Sequence, residues 1–276
     1  MNNSKVAIIG YACDEGVRRN NGRVGAKDGP NAIRKCMGKL PPQSIDKGNI
    51  TCENRNLEKT QEELGEMVAK ELKLGNFPLV IGGGHDIAYG HFLGINKAIK
   101  GTVGIINLDA HFDLRPFHNG GNSGTPFNQI STLLKAQNKT FNYLPIGIRE
   151  SSNSAELYQT AQKLNVHYIP MEECTLDHIP KIKKTLQAFM DEVDYIYLTI
   201  DLDGFSSAYC PGVSAASSMG FQPKFALELM HYIFKSKKVI SCDIAEMNPV
   251  YDEEEVTALL AADLIKTICK CVLGIG

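Results

Sequence analysis

The chain has no Cys-x-x-Cys pair, no basic block and no long apolar run. Each absence removes a class of function. Without a basic cluster there is no electrostatic footprint for nucleic acid. A net charge of −2 offers nothing to an anionic membrane. The apolar stretch at 6–9 is too short for a signal-peptide core or a membrane span. Eight cysteines without metal-type spacing read as the reduced thiols of a cytoplasmic protein. Cys269 and Cys271 lie one residue apart on an expected helix and so face different ways. Cys210, beside Pro211-Gly212, reads as structural filler, because no partner base is evident. A phosphate loop is also missing. Gly82-Gly-Gly-His85 has Ile87 where the last glycine of Gly-x-Gly-x-x-Gly belongs, and no Gly-Lys-Ser/Thr follows. There is no internal repeat and no low-complexity linker. With 276 residues, 43% of them hydrophobic and 22% charged, the chain suits one large α/β domain over 1–276.

What is present is a set of acids and histidines at the ends of apolar runs. Asp109-Ala-His-Phe-Asp113 follows Gly101-Thr-Val-Gly-Ile-Ile-Asn-Leu108. In an extended chain, residues two apart point to one face, so Asp109, His111 and Asp113 converge if the strand geometry persists. Tyr195-Ile-Tyr-Leu-Thr-Ile-Asp201-Leu-Asp203 repeats the pattern, and Phe77-Pro-Leu-Val-Ile-Gly-Gly-Gly-His85-Asp86 ends in glycines and a histidine. Four carboxylates with a minority of imidazoles balance two divalent cations and suit Mn²⁺ or Mg²⁺. Two such ions sharing carboxylates form a hydrolytic arrangement. The plainer alternative is a set of strand-end acids held by helix N-termini beside buried structural histidines.

Strand-like and helix-like segments alternate. Strands are expected over 6–9, 79–81, 103–108, 143–148, 166–169, 195–200 and 239–243, short and apolar as strands buried on both faces should be. Helices are expected over 57–74, with Leu64, Met67, Val68 and Leu72 on one face, and over 177–190, capped near Thr175 and Asp177. A last helix, 253–272, places Val256, Leu259, Leu260, Leu264 and Ile268 on one stripe, with acids in its first turn. This order predicts a mostly parallel sheet with helices on both faces, its ligands bound at the carboxyl ends of the strands. The long segments 112–127 and 204–221 directly follow two donor stretches and are expected to wall the site.

Three further features have two readings each. Glu246, in Ser241-Cys-Asp-Ile-Ala-Glu-Met-Asn-Pro249, either bonds to neighbouring backbone or binds a cationic group. Arg115 either compensates nearby acids or forks onto a substrate carboxylate. Asn122-Ser-Gly-Thr-Pro126 is a turn with free amide and hydroxyl groups.

Taken together, Gly-Gly-Gly-His85, Asp109-Ala-His-Phe-Asp113, Asp201-Leu-Asp203 and Glu246-Met-Asn-Pro resemble the ureohydrolase family of arginases, agmatinases and formimidoylglutamases. The resemblance spans nearly the whole chain, including Asp14-Glu-Gly-Val-Arg-Arg-Asn-Asn-Gly-Arg23 and Gly25-Ala-Lys-Asp-Gly-Pro-Asn-Ala-Ile-Arg34. It implies a three-layer α/β/α fold and a homo-oligomer acting on a small molecule, with two Mn²⁺ ions. It also implies that Asp109 and Asp201 bridge the ions. His85 and Asp113 then complete one site and His111 and Asp203 the other, with Glu246 pairing with a guanidine or amidine. Ser123-Gly-Thr-Pro126 lacks the histidine that arginase-like members carry there. Arg115 stands where arginases have Asn. These departures, with Pro211-Gly-Val-Ser-Ala215, resemble formimidoylglutamases. Ser206 and Ser207 replace a further family Asp and Pro, a divergence that formimidoylglutamases often share.

The activity so implied is hydrolysis of N-formimidoyl-L-glutamate to L-glutamate and formamide, a step of histidine degradation. Bridging hydroxide attacks the amidine carbon, Asp113 carries the proton to the leaving amine, and Arg115, Asn122, Ser123 and Arg149 hold the carboxylates. The alternatives are hydrolysis of another guanidino or amidino acid and an inactive metal-loaded binding protein.

Overall fold

The computed structural model describes residues 5–275. Eight strands form one sheet: β1 (Val6–Ala12), β2 (Ser44–Thr51), β3 (Phe77–Ile81), β4 (Val103–Leu108), β5 (Asn142–Ile148), β6 (Ile169–Pro170), β7 (Tyr195–Asp201) and β8 (Val239–Ala245). Their order is β2-β1-β3-β8-β7-β4-β5-β6. Every pairing is parallel.

Side-chain alternation divides the interior into two cores. On β7, Ile196, Leu198 and Ile200 enter one core and Tyr197 the other. The first core is closed by helices α2 (Gly29–Met37), α7 (Ile179–Asp191), α8 (Pro223–Lys235) and α9 (Val256–Leu273). The second is closed by α3 (Leu57–Lys73), α4 (Ile87–Ala98), α5 (Pro126–Ala136) and α6 (Ala155–Lys163). A buried sheet between two helical layers is the three-layer α/β/α arrangement that the alternating pattern demands. None of the described helices is long and apolar enough to cross a membrane.

The strand order places the site. From β3 the chain jumps to β4, leaving a gap that β7 and β8 later fill. The carboxyl ends of these four central strands therefore meet where connections depart in opposite directions, the usual ligand crevice of such sheets.

Several expectations are corrected. β2 has no counterpart in the sequence reading, because Ser-Ile-Asp-Lys-Gly-Asn-Ile-Thr is an edge strand without an apolar run. The strand expected at 166–169 shrinks to Ile169–Pro170. Helix α7 begins at Ile179 after a short 3-10 turn, and neither Thr175 nor Asp177 caps it. Helix α9 begins at Val256, so Glu253, Glu254 and Glu255 precede it; instead, the Asp252 carboxylate accepts the Thr257 and Ala258 N–H groups at 2.9 and 3.1 Å. Its buried stripe runs through Ala258, Ala261, Leu264, Ile265 and Ile268, whereas Val256 and Leu259 are exposed. Small residues here let the helix sit close on the sheet, and the periodicity of the larger residues misplaced the face.

Candidate metal centre and active site

Asp109 is the first residue after β4, and Asp201 is the last of β7. Each carboxylate captures the N–H two residues on. Asp109 Oδ1 accepts His111 N–H at 2.7 Å, and Asp201 Oδ1 accepts Asp203 N–H at 2.8 Å. This side-chain bond tightens the chain into a turn. The expected strand geometry beyond Leu108 is therefore absent; bends bring the donors together. Asp113 adopts φ +48°, and Glu246, just past β8, φ +67°. Both are left-handed conformations that non-glycine residues seldom adopt and that cluster at functional sites. His85 ends the glycine loop after β3. Gly83, at φ +74°, lies so close to β1 that a Cβ would sit 2.6 Å from the Tyr11 carbonyl oxygen. Only glycine lets that loop pass.

These turns assemble two donor groups. His85, Asp109, Asp113 and Asp201 form one; Asp109, His111 and Asp203 form the other. His85 Nδ1 faces Asp109 Oδ2 at 3.1 Å, Asp113 Oδ2 at 2.9 Å and Asp201 Oδ2 at 3.0 Å. It makes a well-formed hydrogen bond with none of them. His111 Nδ1 lies 3.4 Å from Asp109 Oδ1 and 3.2 Å from Asp203 Oδ2. Asp109 thus gives one oxygen to each group, the placement of a bridging ligand. The structure does not bring Asp201 into the second group.

The electrostatics fit cations. Burial first, then Asp203 and Asp109, pushes the Asp201 carboxyl well up. Burial and Asp109 likewise raise Asp113. Burial alone would lower His85, but the carboxylates, Asp201 foremost, outweigh it and hold the ring well above the usual imidazole range. Four buried acids converging on two imidazoles, with His85 Nδ1 and Asp203 Oδ1 unpartnered, are the donor set of a hard-cation pair.

A cavity of about 260 Å³ opens over both groups. His85, His111, Asp113, Asp201, Asp203 and Glu246 line it, with Arg115 and Ser123 from one expected wall and Ser214 and Ala215 from the other. Glu246 Oε1 accepts the His85 N–H at 2.9 Å, while its Oε2 is buried without a partner. Burial, then the charges of Asp201 and Asp203, pushes this carboxyl well up.

Similarity to known proteins points the same way. A model of the arginase family matches residues 4–270. The chain belongs to the arginase family. It is 44% identical to a formimidoylglutamase of Clostridium tetani over 98% of this chain and 84% of the relative. A formimidoylglutamase of Geobacillus thermodenitrificans is 42% identical over 93% of this chain and 81% of that protein. Among solved structures, Trypanosoma cruzi formiminoglutamase with Mn²⁺ superposes at a TM-score of 0.86 with 27% identity, covering 98% of this chain and 93% of that one. Bacillus subtilis arginase superposes at 0.83 with 25% identity, covering 96% and 98%. The arginase-like fold expected from the motifs is the fold observed.

Two residues expected to bind substrate lie elsewhere. Arg149 lines a separate cavity beside Met171 and Phe221, and its Nε donates to Ser152 Oγ at 2.8 Å. It follows β5, and its backbone N–H donates to the Ala110 carbonyl at 3.0 Å, beside the donor loop, but the residue does not line the cavity over the donors. Asn122 shapes its own turn, accepting Gly124 N–H at 2.9 Å, and faces the neighbouring groove. Cys210 is fully buried, and burial pushes its thiol well up.

Other residues escaped the sequence reading. Thr199 Oγ1 lies 2.9 Å from His85 Nε2. Its signal was a lone aliphatic hydroxyl inside an apolar strand, two residues before Asp201. Asn153 accepts Phe112 N–H at 3.0 Å and donates to the Ala110 carbonyl at 2.9 Å, clamping the loop of Asp109–Asp113. Nothing in the serine-rich stretch around it marked that role. Asn20 and Arg23 line the cavity from the turn after α1 (Glu15–Arg19). Both fell within a motif-bearing segment, but without a strand to orient them they had no assignable direction.

Proposed function

We propose that the chain is a formimidoylglutamase: it hydrolyses N-formimidoyl-L-glutamate to L-glutamate and formamide. One observation carries this reading above others. The unpartnered Glu246 Oε2 shares a cavity with two donor groups joined at Asp109, in a chain over 40% identical to proteins of that name.

His85, Asp109, Asp113 and Asp201 would hold one Mn²⁺ and Asp109, His111 and Asp203 the other. Bound there, the ions supply Lewis acidity and an acidified water. Glu246 Oε2 receives the amidinium N–H groups and fixes which face of the amidine carbon is presented. Its Oε1, tied to His85 N–H, keeps that carboxylate from rotating. Arg115 and Ser123 hold the carboxylate end. Asp113, at the cavity wall, would take a proton from the attacking water and pass it to the departing glutamate nitrogen, without which the C–N bond cannot break to a neutral amine. We further take 1–276 as one domain and the enzyme as a cytoplasmic homo-oligomer. Its eight free cysteines suit a reducing compartment.

The test is product analysis. Mn²⁺-loaded protein incubated with N-formimidoyl-L-glutamate should release formamide and glutamate in equal amounts, followed by NMR. Release of ammonia with N-formylglutamate, or no turnover, would reject the assignment.

A further inference from the structure

The cavity rim carries two guanidinium groups that form no ion pair among the described residues. Arg18, Arg19 and Arg34 pair with Glu15, Glu58 and Asp46. Among the described residues, Arg23 and Arg115 have no such partner, and both line the cavity over the donor groups. The turn after α1 runs between them. At one end Arg115 Nη1 donates to Asn20 Oδ1 at 3.1 Å, and Asn20 Nδ2 donates to Ser123 Oγ at 3.1 Å. At the other end Arg23 donates from Nε to the Ser214 carbonyl at 2.9 Å and from Nη2 to the Val213 carbonyl at 2.7 Å. Its guanidinium also lies 4.0 Å over the Tyr251 ring.

These contacts orient Arg23 without neutralising it. Carbonyl oxygens and a ring face carry no formal charge, and a guanidinium stays protonated at any physiological pH. Two of its five N–H donors are used, which leaves Nη1 and one Nη2 hydrogen for a ligand. Ordering the group in advance lowers the entropy cost of binding. Thus two pre-positioned cations stand on different parts of one rim, above a floor that takes an amidine.

Resting on the formimidoylglutamase reading, we infer that Arg23 is a specificity residue that binds one substrate carboxylate while Arg115 binds the other. A single fork would leave the second carboxylate of a dicarboxylic substrate unmatched. Two forks held by different segments of the rim recognise a diacid and discriminate against amidines bearing one carboxylate.

The test compares three substrates on Mn²⁺-loaded protein: N-formimidoyl-L-glutamate, N-formimidoyl-L-norvaline, which lacks the side-chain carboxylate, and N-formimidoyl-4-aminobutyrate, which lacks the α-carboxylate. Arg23→Gln should lower kcat/KM roughly tenfold on the diacid and on one monoacid, leaving the other unchanged. Arg115→Gln should show the same loss on the diacid and on the opposite monoacid. Arg23→Lys, which keeps the charge but not the fork, should fall between parent and Gln and covers the case in which the Gln variant does not fold. Equal loss on both monoacids, no loss on either, or both variants affecting the same monoacid overturns the two-fork assignment. Parent activity is measured first, so a parent inactive on the diacid rejects the formimidoylglutamase reading itself and is told apart from failure of the forks.

Discussion

His85 and Thr199 meet at their tips, with imidazole Nε2 2.9 Å from the threonine hydroxyl. Both are buried. With a metal bound, Nε2–H donating to Oγ1 would leave the Nδ1 lone pair for the ion that Asp109, Asp113 and Asp201 surround. A hydrogen bond behind a ligating histidine fixes its tautomer and ring orientation. Thr199→Val should therefore weaken metal binding by about ten- to a hundredfold, and Thr199→Ser should restore it. Titration against a competing chelator reads this directly. Equal affinities for Val and parent would make Thr199 a packing residue only.

The shared position of Asp109 makes the two groups unequal under mutation. Asp109→Asn removes charge from both and should lower occupancy at both. Asp203→Asn should cost one ion. Elemental analysis at saturating Mn²⁺ should give two ions per chain for the parent. A maximum of one would contradict the dinuclear arrangement.

Adding metal should also stabilise the fold. Without cations, four buried carboxylates crowd two imidazoles; an ion that binds only the folded state stabilises by mass action, about 2.7 kcal/mol at a hundredfold excess over Kd. The melting temperature should rise with Mn²⁺ concentration and return on chelation. A melting temperature indifferent to Mn²⁺ would count against a site built by folding.

Glu246→Gln keeps its one carbonyl oxygen on the His85 N–H and places an uncharged NH2 donor at the free Oε2 position. Charge-assisted bonds are roughly twice as strong as neutral ones. The variant should lose about tenfold to a hundredfold in kcat/KM with both ions bound. Turnover equal to the parent's would assign Glu246 to the backbone contact alone.

Asp252 gives a control away from the chemistry. Its carboxylate caps α9 through Thr257 and Ala258. Asp252→Ala should cost about 1 kcal/mol of stability, seen in denaturant unfolding, with metal content unchanged. No loss would mean that water replaces the cap without penalty.

The donor residues were legible because each follows an apolar run, and apolar runs are what a buried parallel strand requires. The route by which they converge was not legible. Alternation predicted an extended path through Asp109, His111 and Asp113, whereas the Asp109 side chain bends the backbone and Asp113 takes a left-handed conformation. Short polar side chains compete with strand geometry through local bonds that leave no periodic trace. β2 was missed for a related reason: an edge strand buries little, so it needs no apolar pattern. Asn122 rested on resemblance in local sequence and Arg149 only on an assisting role; the turn of 122–125 engages the Asn122 amide oxygen, and Arg149 lines a separate cavity. Arg23 lay in plain view, yet its direction depends on the Val213 and Ser214 carbonyls about 190 residues away.

The most direct measurement is the ratio of kcat/KM for N-formimidoyl-L-glutamate to that for agmatine on Mn²⁺-loaded protein. Under the proposed assignment the metals and Glu246 would accept either cationic head, so the far end would decide. Guanidinium groups at the rim would attract two carboxylates and repel the ammonium of agmatine. A ratio above about a hundred, with formamide as the product, is the expected result. A ratio near one, or urea released faster from agmatine or arginine, would contradict the account.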